Sequence, residues 1–174
     1  MDLHEIDAHL QIRQALGRYC RGVDRGEREV MLSAYHPDAI QEHGYFHGKP
    51  ADLIDLLIER MDRTGHVTQH HVTNWLIEVD GDTARVEAYC IIWNPEVDEE
   101  TGALKAVQSR SRYLDRFEKR DGAWKIVHRR LVLDWAEPGP DGKPLPRHTK
   151  VTRGGRHEAD PSHDFFQLPP LRGG

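Results

Sequence analysis

The chain has 174 residues, 30% of them charged and 37% hydrophobic, which is the size and balance of one soluble domain around a single core. Lys plus Arg is 24 against 29 Asp plus Glu, and a net charge of −5 argues against a nucleic-acid partner held through its phosphates. No apolar run approaches the roughly 20 residues of a membrane span, the opening Met1-Asp2-Leu3-His4-Glu5 lacks the pattern of a secretory signal, and Cys20 and Cys90 give neither a disulfide framework nor metal-site spacing, so the expected location is the cytoplasm.

In residues 3–23 the apolar positions Ile6, Leu10, Ile12, Ala15, Leu16, Tyr19, Cys20 and Val23 recur at spacings of three and four, the mark of an amphipathic helix, and Gly22 and Gly26 bracket its end. A short second helix is expected over residues 27–35, stopped by His36-Pro37-Asp38 because proline cannot continue the hydrogen-bond ladder. Residues 39–47 read as two short strands around Gly44. Pro50 opens a third helix to about Met61, with its missing N–H in the first turn where it costs least. From residue 68 the period changes to two, and four strands are expected at 68–80, 83–94, 104–119 and 123–136. Asp80-Gly81-Asp82 and Asp121-Gly122 are hairpin signals, and residues 95–102 read as a polar loop. Helices first and a strand meander after predict an α+β domain over 1–136. Residues 137–174, rich in proline and glycine, read as an extended C-terminal extension. Its Phe165, Phe166 and Leu168 suggest docking on its own domain or on a neighbouring subunit.

Several polar residues stand where apolar ones are expected. Asp24 ends the first helix, where an acid opposes the helix dipole; it is either a solvated helix-end acid or a group in use. In Thr68-Gln69-His70-His71-Val72-Thr73-Asn74, alternation sends His70 and His71 to opposite faces, so one of them looks toward the concave side. That histidine is either a buried, hydrogen-bonded core residue or a general base, since an imidazole with a pKa near ~6.5 needs little adjustment to take a proton at neutral pH. Asp24 is the candidate carboxylate beside it. Tyr19 lies about 140° from Asp24 on a helix, so the two can flank one pocket mouth. In the third long strand Ser109, Ser111, Tyr113 and Asp115 share a face suited to a pocket with hydroxyl donors, while Gln108, Arg110, Arg112, Leu114 and Arg116 share a face read as solvated. His128, Arg129 and Arg130 interrupt the apolar run of the last strand; at least one points inward, and a buried guanidinium needs an anion. Tyr89 and Trp93 are further candidates for the ligand wall. There is no phosphate loop, no Gly-x-Gly-x-x-Gly and no Cys-x-x-Cys, and His70 and His71 diverge, so neither cofactor nor metal is expected.

The segments Tyr19-x4-Asp24-Arg25-Gly26, Tyr35-His36-Pro37-Asp38-Ala39, residues 44–48, the 68–74 stretch and Asp121-Gly122-Ala123-Trp124-Lys125-Ile126 resemble, in order and across residues 5–135, the SnoaL-like branch of the nuclear-transport-factor-2-like superfamily. The resemblance implies a cone-shaped, strongly curved antiparallel or mixed sheet capped by N-terminal helices around a deep pocket, the cystatin-like α+β barrel. The site pattern is similar to scytalone dehydratase, hexachlorocyclohexane dehydrochlorinase and bile-acid 7α-dehydratase. Asp24 and His70 fall on the catalytic positions of these enzymes, Tyr19 on the tyrosine of the bile-acid enzyme, and Arg129 on an arginine of the dehydrochlorinase's last strand. Ser111 falls on a pocket serine of scytalone dehydratase. That serine's asparagine partner is Tyr113 here, and Val23 replaces the enzyme's second tyrosine, which argues against scytalone itself as substrate. The resemblance therefore implies a cofactor-independent lyase of the dehydratase type, with Asp24, His70 and Tyr19 catalytic. Arg129, Ser111, Tyr113, Tyr89 and Trp93 would bind a small hydrophobic, aromatic or steroid-like ring compound. An isomerase or cyclase using the same dyad is the near alternative. A non-catalytic module like the small subunit of a ring-hydroxylating dioxygenase is the distant one, because fold alone does not establish catalysis. A homo-oligomer, trimer before dimer, is implied as well.

Overall fold

The computed structural model describes residues 2–64, 67–97, 101–102, 104–139 and 141–167. Helix α1 (Leu3–Arg25) starts at a capping box, in which the Glu5 N–H donates to the Asp2 carboxylate and the Asp2 N–H to Glu5 Oε2, each at 2.9 Å. It ends at Gly26, whose φ of 68° is left-handed. Its stripe of Ala8, Ile12, Ala15, Leu16, Tyr19 and Val23 is buried. At Gly22 the second helix, α2 (Arg28–Leu32), crosses so closely that a Cβ would stand 2.6 Å from Met31 Cγ. This helix stops three residues short of the expected end. The Ala34 carbonyl accepts from Ile126 N–H at 2.9 Å, and Tyr35 pairs with Ile126, so the backbone there is already committed to the sheet.

Strand β1 (Tyr35–His43) therefore contains Pro37, which sits where the register shifts between Tyr35 and Ile40 and no ladder N–H is called for. Strand β2 (Phe46–Gly48) and helix α3 (Pro50–Thr64) follow. The long strands are β3 (Gln69–Asp80), β4 (Thr83–Val97), β5 (Leu104–Arg120) and β6 (Ala123–Ala136). Beyond them β7 (Thr152–Arg153) adds to β6. The order is β2-β1-β6-β5-β4-β3, with β1 and β7 parallel to β6 and the other pairs antiparallel, so the sheet is mixed and unclosed. Register shifts at 72/75, 110/111 and 116/117 are bulges of the kind that bend strands, and the sheet curves around the helices. The turn at Asp121 (φ 51°) and Gly122 (φ 79°) has the two left-handed residues of a tight hairpin.

Two expectations need correction. The loop at 95–102 starts later, because β4 runs through Pro95, paired with Ala106, to Val97. Pairing with β3 ends at Trp93, so Pro95 meets a free edge where its missing N–H costs nothing. The arginine face of β5 is not solvated throughout. Arg112 is buried at 5% exposure, its guanidinium held by Glu87 (2.6 Å), Asp134 (2.8 Å) and Asp160 (2.6 Å). Asp160 belongs to the C-terminal segment, which has 3-10 turns at Pro146–His148 and His157–Ala159 and the short helix α4 (Pro161–Gln167), and whose later part covers this face. Phe165 of α4 is buried against Leu114 and Val132. Leu168, Pro140, Pro169 and Pro170 lie outside the described residues. Among the described residues no helix is long and apolar enough to cross a membrane.

Candidate active site

A cavity opens between α1, α3 and the concave face of the sheet. The space between these elements, counted together with its open mouth, is about 840 Å³. Val23, Leu57, Met61, Ile92, Leu131 and Leu133 form its apolar wall.

Asp24 and His70 meet at its edge. The last turn of α1 carries Asp24 to the start of β3, where the His70 backbone N–H donates to Oδ2 (3.0 Å) and the Thr68 hydroxyl to Oδ1 (2.9 Å). His70 Nδ1 lies 2.7 Å from Oδ1. Both side chains are largely enclosed, at 10% and 11% exposure for His70 and Asp24, so the contact is shielded from water. Burial pushes the Asp24 pKa up, but the His70 side chain, the His70 backbone N–H and the Thr68 hydroxyl outweigh it and hold the carboxyl below its ordinary value. An ionised Asp24 accepts a hydrogen bond from Nδ1–H, and in that neutral tautomer the lone pair is on Nε2 of a residue that lines the cavity. His71, on the opposite face, is exposed.

Tyr19 lines the same cavity from α1, 2% exposed. Burial pushes its hydroxyl pKa up to about 12, against the pull of Arg129, so it is a neutral donor at physiological pH. Ser109 and Ser111 of β5 contribute buried hydroxyls to the wall. Tyr113 shares their face but lies behind the cavity, edge-on to Tyr19 with ring centroids 5.9 Å apart.

Arg129 is the inward member of its trio, while His128 (2.7 Å) and Arg130 (2.9 Å) share Glu42. It does not line the cavity. Its guanidinium is fully buried and binds Asp115 twice, at 2.7 and 2.6 Å, with its carbon 4.4 Å from the Tyr19 ring centroid and 4.0 Å from that of Tyr113. The anion that pairs with it is therefore Asp115, through Nε and Nη2, while among the described residues its buried Nη1 has no partner. Against the cost of burial, Asp115 and the tyrosines keep its pKa well above the usual value. Tyr89 and Trp93 are also off the cavity, because Ile92 and Asn94 line it and alternation up to that point sends Tyr89 and Trp93 outward, although Pro95 beyond them lines it too. Tyr89 is 45% exposed, 5.9 Å beneath the Arg112 guanidinium on the outer face.

Three contributions went unread in the sequence. Thr68 stood in the 68–74 stretch with no role assigned, and Asp115 stood on the serine face without its partner. The third is a wall built from His43, Tyr45, Arg60, Arg147 and His148, of which the last two come from the C-terminal segment. Among the described residues no group of three or more His, Cys, Asp or Glu is placed to hold a metal ion.

A family described as SnoaL-like domain matches residues 4–130. The chain has no match among curated proteins. Among solved structures it is similar to a candidate scytalone dehydratase from Novosphingobium aromaticivorans, at 19% identity and a TM-score of 0.70 over 88% of this chain and 99% of that one. It is also similar to the hexachlorocyclohexane dehydrochlorinase LinA-type3 from Novosphingobium barchaimii, at 20% identity and a TM-score of 0.66 over 84% and 99%. A nuclear-transport-factor-2-like protein with a cystatin-like fold from Novosphingobium aromaticivorans aligns at 21% identity and a TM-score of 0.60 over 75% and 84%. These likenesses are of fold.

Proposed function

This chain belongs to the SnoaL-like family, and from that premise we propose that it is a cofactor-independent lyase of the dehydratase type acting on a small, largely apolar ring compound. The observation that carries this reading is the 2.7 Å contact between Asp24 and His70 Nδ1 at the edge of an apolar cavity. A purely assembling module has no use for a shielded, ionised carboxylate bound to an imidazole that faces a cavity.

In this mechanism His70 Nε2 takes a proton from a substrate carbon. The C–H electron pair becomes the new C=C bond and expels hydroxide or another anion from the neighbouring carbon. Asp24 holds the ring orientation and balances the imidazolium charge. Tyr19, protonated throughout, donates a hydrogen bond to the departing group or to enolate oxygen, and the proton on His70 returns to departing hydroxide as water. Arg129 acts as a positioning residue beneath Tyr19. Isomerisation or ring closure starts with the same abstraction and belongs to the same reading. So do a cytoplasmic location, a trimeric assembly and the division of the chain into a 1–136 domain and a 137–174 extension.

The test is a screen of hydroxylated and halogenated ring compounds for loss of water or acid by mass spectrometry, followed by His70→Ala and Asp24→Asn. Removal of a general base costs on the order of 10²–10⁴ in kcat. Turnover that survives both substitutions refutes the mechanism.

A further inference from the structure

We propose that the cavity holds a carboxylate-binding subsite built by Arg60, Arg147, His148 and His43, so that the substrate is an apolar ring compound bearing a carboxylate. Deepening the lyase reading, it takes the same cavity and names the class of molecule that enters it.

All four residues line the cavity, drawn from three separate parts of the chain. Arg60 comes from α3, His43 from the end of β1, and Arg147 and His148 from the 3-10 turn of the C-terminal segment. Arg60 and Arg147 both bind Glu96, each at 2.6 Å. Among the described residues Glu96 is the one carboxylate paired with either, so two guanidinium charges face a single negative one. Among the described residues one positive charge of this trio is left over, in a partly enclosed space, with Arg147 at 19% and Glu96 at 17% side-chain exposure. Burial first and the neighbouring Arg60 second pull the Arg147 pKa down to about 10, although Glu96 pushes it up.

Unspent hydrogen-bonding capacity points the same way. Arg147 Nη2, His148 Nδ1 and His43 Nδ1 are each buried and, among the described residues, without a partner. A buried polar atom left without a partner is costly, and Arg147 Nη2 is a donor while the two imidazole nitrogens become donors in one tautomer, so an acceptor entering the cavity these residues line would relieve that cost. Burial and the surrounding cations hold the His148 pKa down to about 4 and the His43 pKa to about 3, so at neutral pH both rings are uncharged and free to present an N–H by choice of tautomer. A planar carboxylate suits a guanidinium edge flanked by such N–H groups. His70 of the dyad lines the same cavity as these four residues. A carboxylate docked there would leave the ring of the same molecule against the apolar wall and beneath His70.

The experiment is isothermal titration calorimetry on the full chain at neutral pH with matched probes, benzoate against benzamide and 2-naphthoate against 2-naphthamide. The titrations are run on wild type, Arg147→Gln, Arg60→Gln and His70→Ala. The carboxylates should bind at least about tenfold more tightly than their amides in wild type and His70→Ala. That preference should fall toward unity in Arg147→Gln and Arg60→Gln, with amide affinity held within about twofold. Because Arg147→Gln also removes an anchor of the C-terminal segment, Arg60→Gln alone decides if that variant loses amide binding. Equal affinities in wild type, no carboxylate binding at millimolar concentration, or a preference unchanged by Arg60→Gln overturns the subsite. Retained preference in a His70→Ala variant, alongside turnover that survives the dyad substitutions, would fault the lyase reading and leave the subsite standing.

Discussion

Replacing Arg112 with methionine tests how the C-terminal segment is held to the sheet. Its guanidinium lies at 7% side-chain exposure, with Glu87 and Asp160 each at 11% and Asp134 at 35%. Methionine fills a similar volume but leaves two enclosed carboxylates facing each other without a cation. Breaking a buried ion pair by removing one partner costs about 3–5 kcal/mol, and Asp134, well exposed, adds little to that. For a chain of this size that loss lowers Tm by about 6–20 °C. The pH dependence gives a second reading. Arg112 first, then Ser162 and the Gly155 and Ser162 N–H groups, hold the Asp160 pKa far below the ordinary carboxylate range. The stabilisation is therefore fully present above the unfolded value of about 3.9 and is lost as pH falls through the lower folded one. Urea denaturation of wild type and Arg112→Met, followed by circular dichroism at pH 7 and again below pH 4, should show a wide gap that narrows in acid. A cost under about 1 kcal/mol at pH 7, the level of an exposed pair, or a gap independent of pH would refute the reasoning.

Gly22→Ala should destabilise the chain by about 1–3 kcal/mol, because its Cβ would meet the Met31 backbone nitrogen at 2.7 Å as well as the flexible side chain; unchanged urea stability would mean that α1 and α2 do not cross there. Thr68→Val removes the hydroxyl that donates to Asp24 Oδ1 while keeping shape. It should lower kcat by about tenfold, one hydrogen bond to a charged group, with KM unchanged. A loss confined to KM would mark Thr68 as a substrate contact instead.

The long elements were legible because their signals are local. The stripe of α1, the proline opening α3 and the Asp-Gly turn between β5 and β6 each state their structure within a few residues. Asp24 and His70 were legible for a different reason, since the helix end and the strand opening are both marked in the sequence and the resemblance brings them together.

What stayed hidden depends on long-range register or on the C-terminal segment. Counting outward from the turn at Asp121-Gly122 pairs Asp115 with His128, but the bulge between Arg116 and Phe117 moves its partner to Arg129. That one-residue slip sends Arg129 inward, where Asp115 neutralises it. Tyr89 and Trp93 were assigned by residue type, although the parity of β4, with Ile92 and Asn94 inward, puts them outside. The arginine face of β5 reads as solvated by alternation alone. Only a segment some 50 residues downstream, bringing Asp160 and Phe165, covers it. For the same reason Arg147 and His148 could not be placed in the cavity from their neighbours in sequence.

The measurement closest to the central claim is the tautomer of His70, read at neutral pH from long-range ¹H–¹⁵N correlations of the imidazole ring. An Asp24 carboxylate 2.7 Å from Nδ1 requires the proton on Nδ1, and the proposed role as base requires a bare Nε2. Asp24→Asn should release that preference. A His70 protonated on Nε2, or a tautomer that ignores the loss of Asp24, would contradict the account.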